Sequence, residues 1–127
     1  MKRVFFHVQH LLGIGHLKRA ALVCGALAEA GFEVTLASGG ASVPGVVPGN
    51  VRLVQLPPLS AADVTFKRLV DEGGQTIDDA WKAKRAAALM RAWRDLIAVR
   101  THYLLARDRT ANNVGRMLLG LDPQSRN

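Results

Sequence analysis

Cysteine, acidic residues, aromatic residues and long apolar runs are all scarce in this sequence of 127 residues. The single cysteine, Cys24, excludes an internal disulfide, and its place in an apolar helical pattern indicates a small buried residue rather than a reactive thiol. No run reaches the ~18 apolar residues of a membrane span, and residues 1–8 are typical of a strand rather than a signal-peptide core. We therefore expect a cytoplasmic location.

The shortage of acidic residues leaves the chain basic, with 17 Lys and Arg against 10 Asp and Glu and a net charge of +7. Such a balance attracts nucleic acid, acidic lipid or phosphorylated ligands. Basic runs are short, Lys84 and Arg85 being typical, and the few aromatic residues do not alternate with cations as in a stacking platform. We expect no nucleic-acid partner.

What the sequence does contain is an organising stretch at residues 2–19, KRVFFHVQHLLGIGHLKR. Its first part is too short for a helix and is apolar on both faces, which is typical of a central strand in a parallel sheet. Two glycines, Gly13 and Gly15, then allow a tight turn, and residues 16–30 carry apolar side chains at helical spacing. The stretch predicts a strand, a turn and a helix.

This turn brings a helix N-terminus to the carboxyl edge of the predicted sheet. Open α/β sheets bind ligands at that edge, and the free N–H groups and dipole of the helix favour an anionic or hydrogen-bonding group. His10 and His16 flank the position, and Lys18 and Arg19 follow it. We expect a binding site there.

Residues 31–40 complete a strand, helix, strand unit, with Gly31 as a helix C-cap and FEVTLA as the second strand. The second strand ends in Ser-Gly-Gly, without the acidic residue that an NAD-binding fold places there. Lys18 occupies the position of the third glycine in a dinucleotide fingerprint, and no P-loop is present. We therefore expect no nicotinamide or ATP cofactor of those kinds.

The middle of the chain predicts a third strand at residues 51–56 and a covering loop at residues 59–75, in which residues 66–72 have the pattern of two helical turns. A long helix is expected from Thr76 to about Val99. Its apolar stripe includes Trp81 and Trp93, both predicted to lie in the core, while its arginines, Arg85 among them, are predicted to face solvent.

Beyond Arg100 the pattern weakens. Residues 103–106 are the one candidate for a further strand, and they are short, without β-branched residues and followed by a polar, turn-rich segment. We expect a Rossmann-like α/β domain at residues 1–100 and a divergent tail at residues 101–127, as a frameshifted or truncated gene would produce.

Residues 5–40 resemble the amino terminus of a group of predicted bacterial glycosyltransferases with the GT-B fold, most specifically at VQHLLGIGHLKRA. The resemblance continues less strongly through VRLVQLPP and the long helix, to about residue 100. These proteins are related to the N-acetylglucosaminyltransferase of peptidoglycan assembly, whose amino-terminal domain faces the acceptor. The resemblance implies a Rossmann-like parallel sheet with flanking helices, the acceptor-side domain of a GT-B glycosyltransferase in incomplete form.

The same resemblance implies roles for the residues of the turn. His16 matches the position at the acceptor hydroxyl and would be the catalytic base. Gly13 and Gly15 match the turn and would bind substrate, with no metal and no cofactor required. From their own positions beside the turn, His10 is expected to line the cleft, and Lys18 and Arg19 either meet a phosphate or an acidic acceptor or are solvated charges. Transfer of a sugar needs such a base and needs positive or N–H groups for the departing phosphate.

Length sets a further expectation, because GT-B enzymes hold the nucleotide-sugar donor in a carboxyl-terminal domain that 127 residues do not supply. The chain is expected to be inactive alone, with the donor bound by a missing domain or by a second polypeptide. The acceptor would be a sugar or a lipid-linked compound, which allows peripheral contact with the inner face of the membrane. The rival interpretation is a non-catalytic α/β module that holds phosphate or nucleotide at the Gly13 to His16 turn.

Overall fold

The computed structural model describes residues 2–97 and 102–106, in which two helices flank a parallel sheet. The helices are α1 (Gly15–Glu29) and α2 (Asp79–Ile97). The strands of the main sheet are β1 (Arg3–Val8), β2 (Glu33–Ser38), β3 (Arg52–Gln55) and β6 (His102–Ala106). A separate antiparallel pair consists of β4 (Ser60–Ala61) and β5 (Leu69–Val70).

The main sheet has the strand order β3, β2, β1, β6, and all of its pairs are parallel. Strand β1 therefore lies in the interior of the sheet, as its apolar sequence predicts. Its alternate side chains enter two cores: Phe6 packs on the α1 side with Leu17 and Cys24, and Phe5 packs on the α2 side with Leu89. A strand buried on both faces needs apolar residues at every position, which accounts for the run VFFHV.

Helix α1 begins and ends within one residue of its predicted bounds. Gly31 follows it with a φ of +96°, a left-handed conformation that glycine adopts without the penalty other residues bear. The backbone N–H of Phe32 donates to the carbonyl of Leu27, which closes the helix end before β2 begins. The predicted C-cap is confirmed.

Helix α2 begins at Asp79, three residues later than predicted. The Asp78 carboxylate accepts a hydrogen bond from the backbone N–H of Trp81 at 2.7 Å, so Asp78 is the N-cap. The two tryptophans differ in environment: Trp93 is buried against Phe5, whereas Trp81 is only half-buried. The prediction of a core position is therefore confirmed for Trp93 and wrong for Trp81.

The segment between β3 and α2 differs from its predicted form. Residues 66–72 do not form helical turns; they lead into β5, which pairs with β4 in a short hairpin. Backbone pairing decides the outcome: the N–H of Ala62 donates to the carbonyl of Arg68, and the N–H of Ile77 donates to that of Leu69. A segment this short has no helical preference strong enough to resist such pairing.

The candidate strand beyond residue 100 does join the sheet. Strand β6 pairs with β1 in parallel, with Arg3 opposite His102 and His7 opposite Ala106. The sheet thus extends past residue 100, where we expect the domain boundary. That boundary stays a prediction. The divergent tail also stays a prediction, because residues 107–127 lie outside the described residues. The weak propensity of this strand is overridden by its place beside a buried strand.

Cys24 provides a first test of the core. Its side chain is 0% exposed, and burial raises the pKa of its thiol to about 11. Because only the thiolate reacts, we expect Ellman's reagent at pH 8 to label the folded chain at least about a hundredfold more slowly than the chain in guanidinium. Rapid labelling of the native protein would show that α1 does not pack on the sheet in this way.

Candidate functional site

The carboxyl ends of β1, β2 and β3 meet at one edge of the sheet, and the loops that follow them are joined by backbone hydrogen bonds. The N–H of Gly39 donates to the carbonyl of Val8, and the N–H of Leu59 donates to that of Gly39. The N–H of Ala61 donates to the carbonyl of Leu11 at 3.1 Å. The glycine turn after β1 is thereby tied to the loops that follow β2 and β3.

Gln9, the first residue after β1, holds two of these loops with its side-chain amide. Its Nε2 donates to the carbonyl oxygens of His10 at 2.8 Å and Leu59 at 3.2 Å. Its Oε1 accepts a hydrogen bond from Nη2 of Arg85, which reaches down from α2. Arg85 is therefore partly buried at this edge, and the prediction that it faces solvent is wrong.

Gln55 does the same at the end of β3. Its Nε2 lies 3.2 Å from the carbonyl oxygen of Ser38, 2.8 Å from that of Gly40 and 2.9 Å from that of Leu56. An amide nitrogen has two hydrogens, so these three carbonyls share its donors. The two glutamines satisfy backbone groups that the ends of the strands leave unpaired.

A pocket of about 440 Å³ opens at this edge, a volume within the range of small-molecule sites. It brings together five of the six site residues predicted from the sequence: His10, Gly13, Gly15, His16 and Arg19. The other residues that line it are Gln9, Leu11, Leu12 and Phe66. Five of the predicted residues thus line one concavity, which is formed mainly by one continuous stretch of chain.

The polar part of the pocket lies at the N-terminus of α1. His16 and Arg19 are one turn apart on the helix and exposed, and Nη2 of Arg19 lies 3.2 Å from Nδ1 of His16. No side chain caps the helix at Ile14, and its first turn contains no acidic residue. The first N–H groups of α1 and the positive end of its dipole are thus available to a ligand.

The two glycines of the turn contribute space. A Cβ atom built at Gly13 or Gly15 would have nothing within 4 Å, and neither residue adopts a left-handed φ. A left-handed conformation therefore does not account for these two glycines, and their role in a tight turn stays a prediction. Their lack of side chains instead leaves the mouth of the pocket open beside His16.

His10 forms a buried part of the pocket wall. It is 3% exposed, its ring lies against Gly40, and neither ring nitrogen has a hydrogen-bond partner of good geometry among the described residues. Burial lowers the pKa of His10 from 6.5; the backbone of Ala41 opposes this, and the nearby His16 adds to it. The ring is therefore neutral at pH 7.

The lowered pKa of His10 makes folding stability depend on pH. Between 6.5 and the lower folded value, the unfolded chain binds a proton at this position that the folded chain does not. We expect the free energy of unfolding to decrease as pH falls from 7.5 to 5.5, and to decrease less in His10→Gln. Denaturant titrations at several pH values measure this.

The exposed His16 provides the matched control for that titration. His16→Gln makes the same change at an exposed side chain and so controls for the substitution itself. An equal decrease in His10→Gln and in the wild-type chain would contradict a buried neutral His10.

Lys18 is the predicted site residue that the structure places elsewhere. It lines a second groove, of about 350 Å³, with Leu22, Gly45, Val46 and Pro48. Successive residues of a helix point about 100° apart, and here Arg19 faces the first pocket while Lys18 faces this second groove. The sequence motif alone does not make that distinction.

The residues of this edge that were not predicted from the sequence include Gln9, Phe66 and Arg85. Gln9 carried a usable signal, since it is the first polar residue after a buried strand. The sequence also gave a signal for Arg85, because this residue is four positions from both Trp81 and Leu89 and therefore lies on the same face of the helix. Phe66 carried none, as its position depends on a hairpin that the sequence pattern did not predict.

Two other searches were limited to the part of the chain that the structure describes. No group of three or more His, Cys, Asp or Glu side chains is arranged to hold a metal ion there. None of the described helices has the length and apolar character needed to cross a membrane.

The fold is similar to part of the fold of GT-B glycosyltransferases. Apo UGT2 from Phytolacca americana is 16% identical, with a TM-score of 0.60, over 95% of this chain and 28% of that chain. A UGT transferase from Siraitia grosvenorii, in complex with UDP, is 18% identical, with a TM-score of 0.53, over 94% of this chain and 26% of that chain. This chain therefore spans about a quarter of each of them.

No protein-family model matches the sequence. No curated protein matches it either. The likeness to glycosyltransferases thus concerns the fold, and identities of 16% and 18% carry no residue roles with them.

Proposed function

We propose that this chain is the acceptor-binding part of a glycosyltransferase that transfers a sugar from a nucleotide-sugar donor. The observation that carries the proposal is the pocket at the carboxyl edge, where His16 stands exposed at the uncapped N-terminus of α1. The fold supports it, since two solved structures that resemble this chain are UGT2 and a UGT transferase. One of them was solved with UDP.

In this proposal His16 is the general base. Its ring is accessible from the pocket, and imidazole groups exchange protons near neutral pH. The base takes the proton of an acceptor hydroxyl as the oxygen attacks the anomeric carbon and the nucleoside diphosphate departs. For Nε2 to take that proton it must carry the lone pair of the ring, so Nδ1 bears the hydrogen, and the 3.2 Å contact between Nδ1 and Nη2 of Arg19 gives way when the acceptor binds.

The remaining predicted residues serve the acceptor in different ways. Gly13 and Gly15 give it room, and the N–H groups at the start of α1 offer it hydrogen-bond donors. His10 shapes the wall as a buried ring whose pKa is lowered by burial. Lys18 has no part in this pocket and is omitted from the proposed site.

The donor belongs to a second unit in this proposal, either a further domain or a separate polypeptide. The chain spans about a quarter of the transferases that it resembles, and GT-B enzymes bind donor and acceptor on different domains. We therefore expect the 127 residues to release no sugar from a UDP-sugar by themselves. The acceptor is a hydroxyl compound small enough for the pocket.

The activity test uses this chain together with a donor-binding polypeptide, with transfer from UDP-sugars measured as UDP release. His16→Ala is expected to lower the rate about 10²–10⁴-fold, the usual contribution of a general base. Lys18→Ala is the matched control, because it removes a charge from the same helix turn but lines the other groove. Equal rates for His16→Ala and Lys18→Ala would contradict the proposed role of His16.

A second candidate is a non-catalytic module that binds phosphate or nucleotide at the glycine turn. The uncapped helix N-terminus beside Arg19 favours it, since such termini attract anions. Calorimetric titration of UDP into this chain alone separates the two. The module should bind UDP in the micromolar range and lose affinity in Arg19→Ala, whereas an acceptor-side domain should give no heat below millimolar UDP.

A further inference from the structure

Phe66 is a large apolar side chain that the fold leaves in contact with solvent. Its ring is 54% exposed, yet it lines the same pocket as His16 and Arg19. Leu11 and Leu12 also line this pocket, and Leu12 is 45% exposed. The pocket thus has an apolar part as well as the polar part at α1, and exposed apolar surface of this kind is removed from water when a ligand covers it.

The backbone of Phe66 is held in an unfavourable conformation. Its φ is +57°, and it is the one non-glycine residue with a positive φ in the described part of the chain. Bulky residues rarely adopt this conformation, which places the Cβ close to the following peptide. Such strain persists where the surroundings impose it, and it concentrates at functional sites.

The conformation of Phe66 is imposed by a short turn that the carboxylate of Asp63 organises. Oδ1 of Asp63 accepts hydrogen bonds from the backbone N–H of Thr65 at 2.8 Å and from its hydroxyl at 2.5 Å. The N–H of Phe66 donates to the carbonyl of Asp63 at 3.3 Å. Hydrogen bonds from Thr65 hold the pKa of Asp63 below its usual range, so the carboxylate that organises the turn is charged at neutral pH.

The hairpin that carries this turn is fixed to the pocket. The N–H of Ala61 donates to the carbonyl of Leu11 at 3.1 Å, and Leu11 is itself a lining residue. The N–H of Ala62 donates to the carbonyl of Arg68 at 2.9 Å and closes the loop on both sides of Phe66. The ring is therefore presented to the pocket by a braced loop.

We propose that Phe66 determines acceptor specificity by stacking on an apolar ring of the acceptor, whose hydroxyl group is then presented to His16. The acceptor class is an aromatic or alicyclic alcohol rather than a free hydrophilic sugar. This inference rests on the proposed function, because it takes the ligand of the pocket to be the acceptor. A volume of about 440 Å³ accommodates one or two fused rings beside the polar groups at α1.

The test is binding of 2-naphthol to the 127-residue chain, followed by calorimetry, with Phe66→Gly as the variant. Glycine removes the ring and also relieves the positive φ, so this variant should fold with an equal or higher midpoint of thermal unfolding. Its affinity for 2-naphthol should nevertheless be about tenfold lower, as loss of an aromatic contact implies. Phe66→Trp should keep wild-type affinity.

Val64→Gly is the matched control, because Val64 is 81% exposed on the same loop but does not line the pocket. It should bind 2-naphthol as the wild-type chain does. The proposal is overturned if Phe66→Gly keeps its affinity, if Val64→Gly loses as much, or if the wild-type chain binds glucose in preference to 2-naphthol. These measurements need no donor, so failure here is distinct from failure of the transfer assay.

Discussion

Trp93→Ala is expected to destabilise the chain by about 3–5 kcal/mol, enough to unfold a domain of ordinary stability under mild conditions. The indole is 7% exposed and packs edge-on against Phe5, with ring centroids 5.5 Å apart and planes at 85°. It joins Leu89 and Leu96 in the core between α2 and the sheet. Removal of the indole leaves a cavity between α2 and the sheet that the surrounding side chains cannot fill.

Trp81→Ala is the matched control for this prediction, since it removes the same side chain from the same helix. Trp81 is half-buried, and alanine favours the helix, so we expect a loss below about 1 kcal/mol. Chemical denaturation followed by circular dichroism compares the two variants. Equal losses would show that α2 is rotated relative to the arrangement described above.

Gly40→Ala is expected to destabilise the chain by about 1–3 kcal/mol, although it adds a single methyl group. A Cβ at Gly40 would overlap the buried ring of His10, which cannot move into solvent without opening the pocket wall. The φ of Gly40 is not left-handed, so the effect is one of space alone. The same change should also weaken ligand binding at the pocket.

Gly49→Ala tests the opposite case, because a Cβ there would have nothing within 4 Å. We expect it to be neutral or to stabilise the chain by up to about 1 kcal/mol, through the reduced freedom of the unfolded state. The double variant His10→Ala with Gly40→Ala should lose less than the sum of its single changes, since the overlapping groups are both gone. Additive losses would contradict the contact between Gly40 and His10.

Much of the fold could be predicted from local patterns. The run VFFHV indicated an interior parallel strand because a strand covered on both faces has no polar side, and β1 has that place. The apolar spacing of α1 and the glycine after it gave both ends of the helix within one residue. These features depend on residues that are neighbours in the sequence, so a local sequence pattern is sufficient to predict them.

The hairpin of β4 and β5 and the last strand could not be predicted in this way. The loop that carries Phe66 is held by backbone hydrogen bonds from Ala62 to Arg68 and from Ala61 to Leu11, and residues 103–106 become a strand because β1 offers an unpaired edge. Both outcomes depend on hydrogen-bond partners that lie far along the chain or on another element. The secondary-structure propensity of a short segment predicts little where such partners determine its conformation.

The sequence by itself determined the carboxyl-edge turn and most of the residues that line its pocket, since His10, Gly13, Gly15, His16 and Arg19 are close in space because they are close along the chain. Only the tertiary structure decided that Lys18 faces another groove and that Arg85 reaches Gln9. It alone brought Phe66 to the pocket. The physical reason is that a side chain's direction and a contact between distant residues are fixed by packing, which no single stretch of sequence contains.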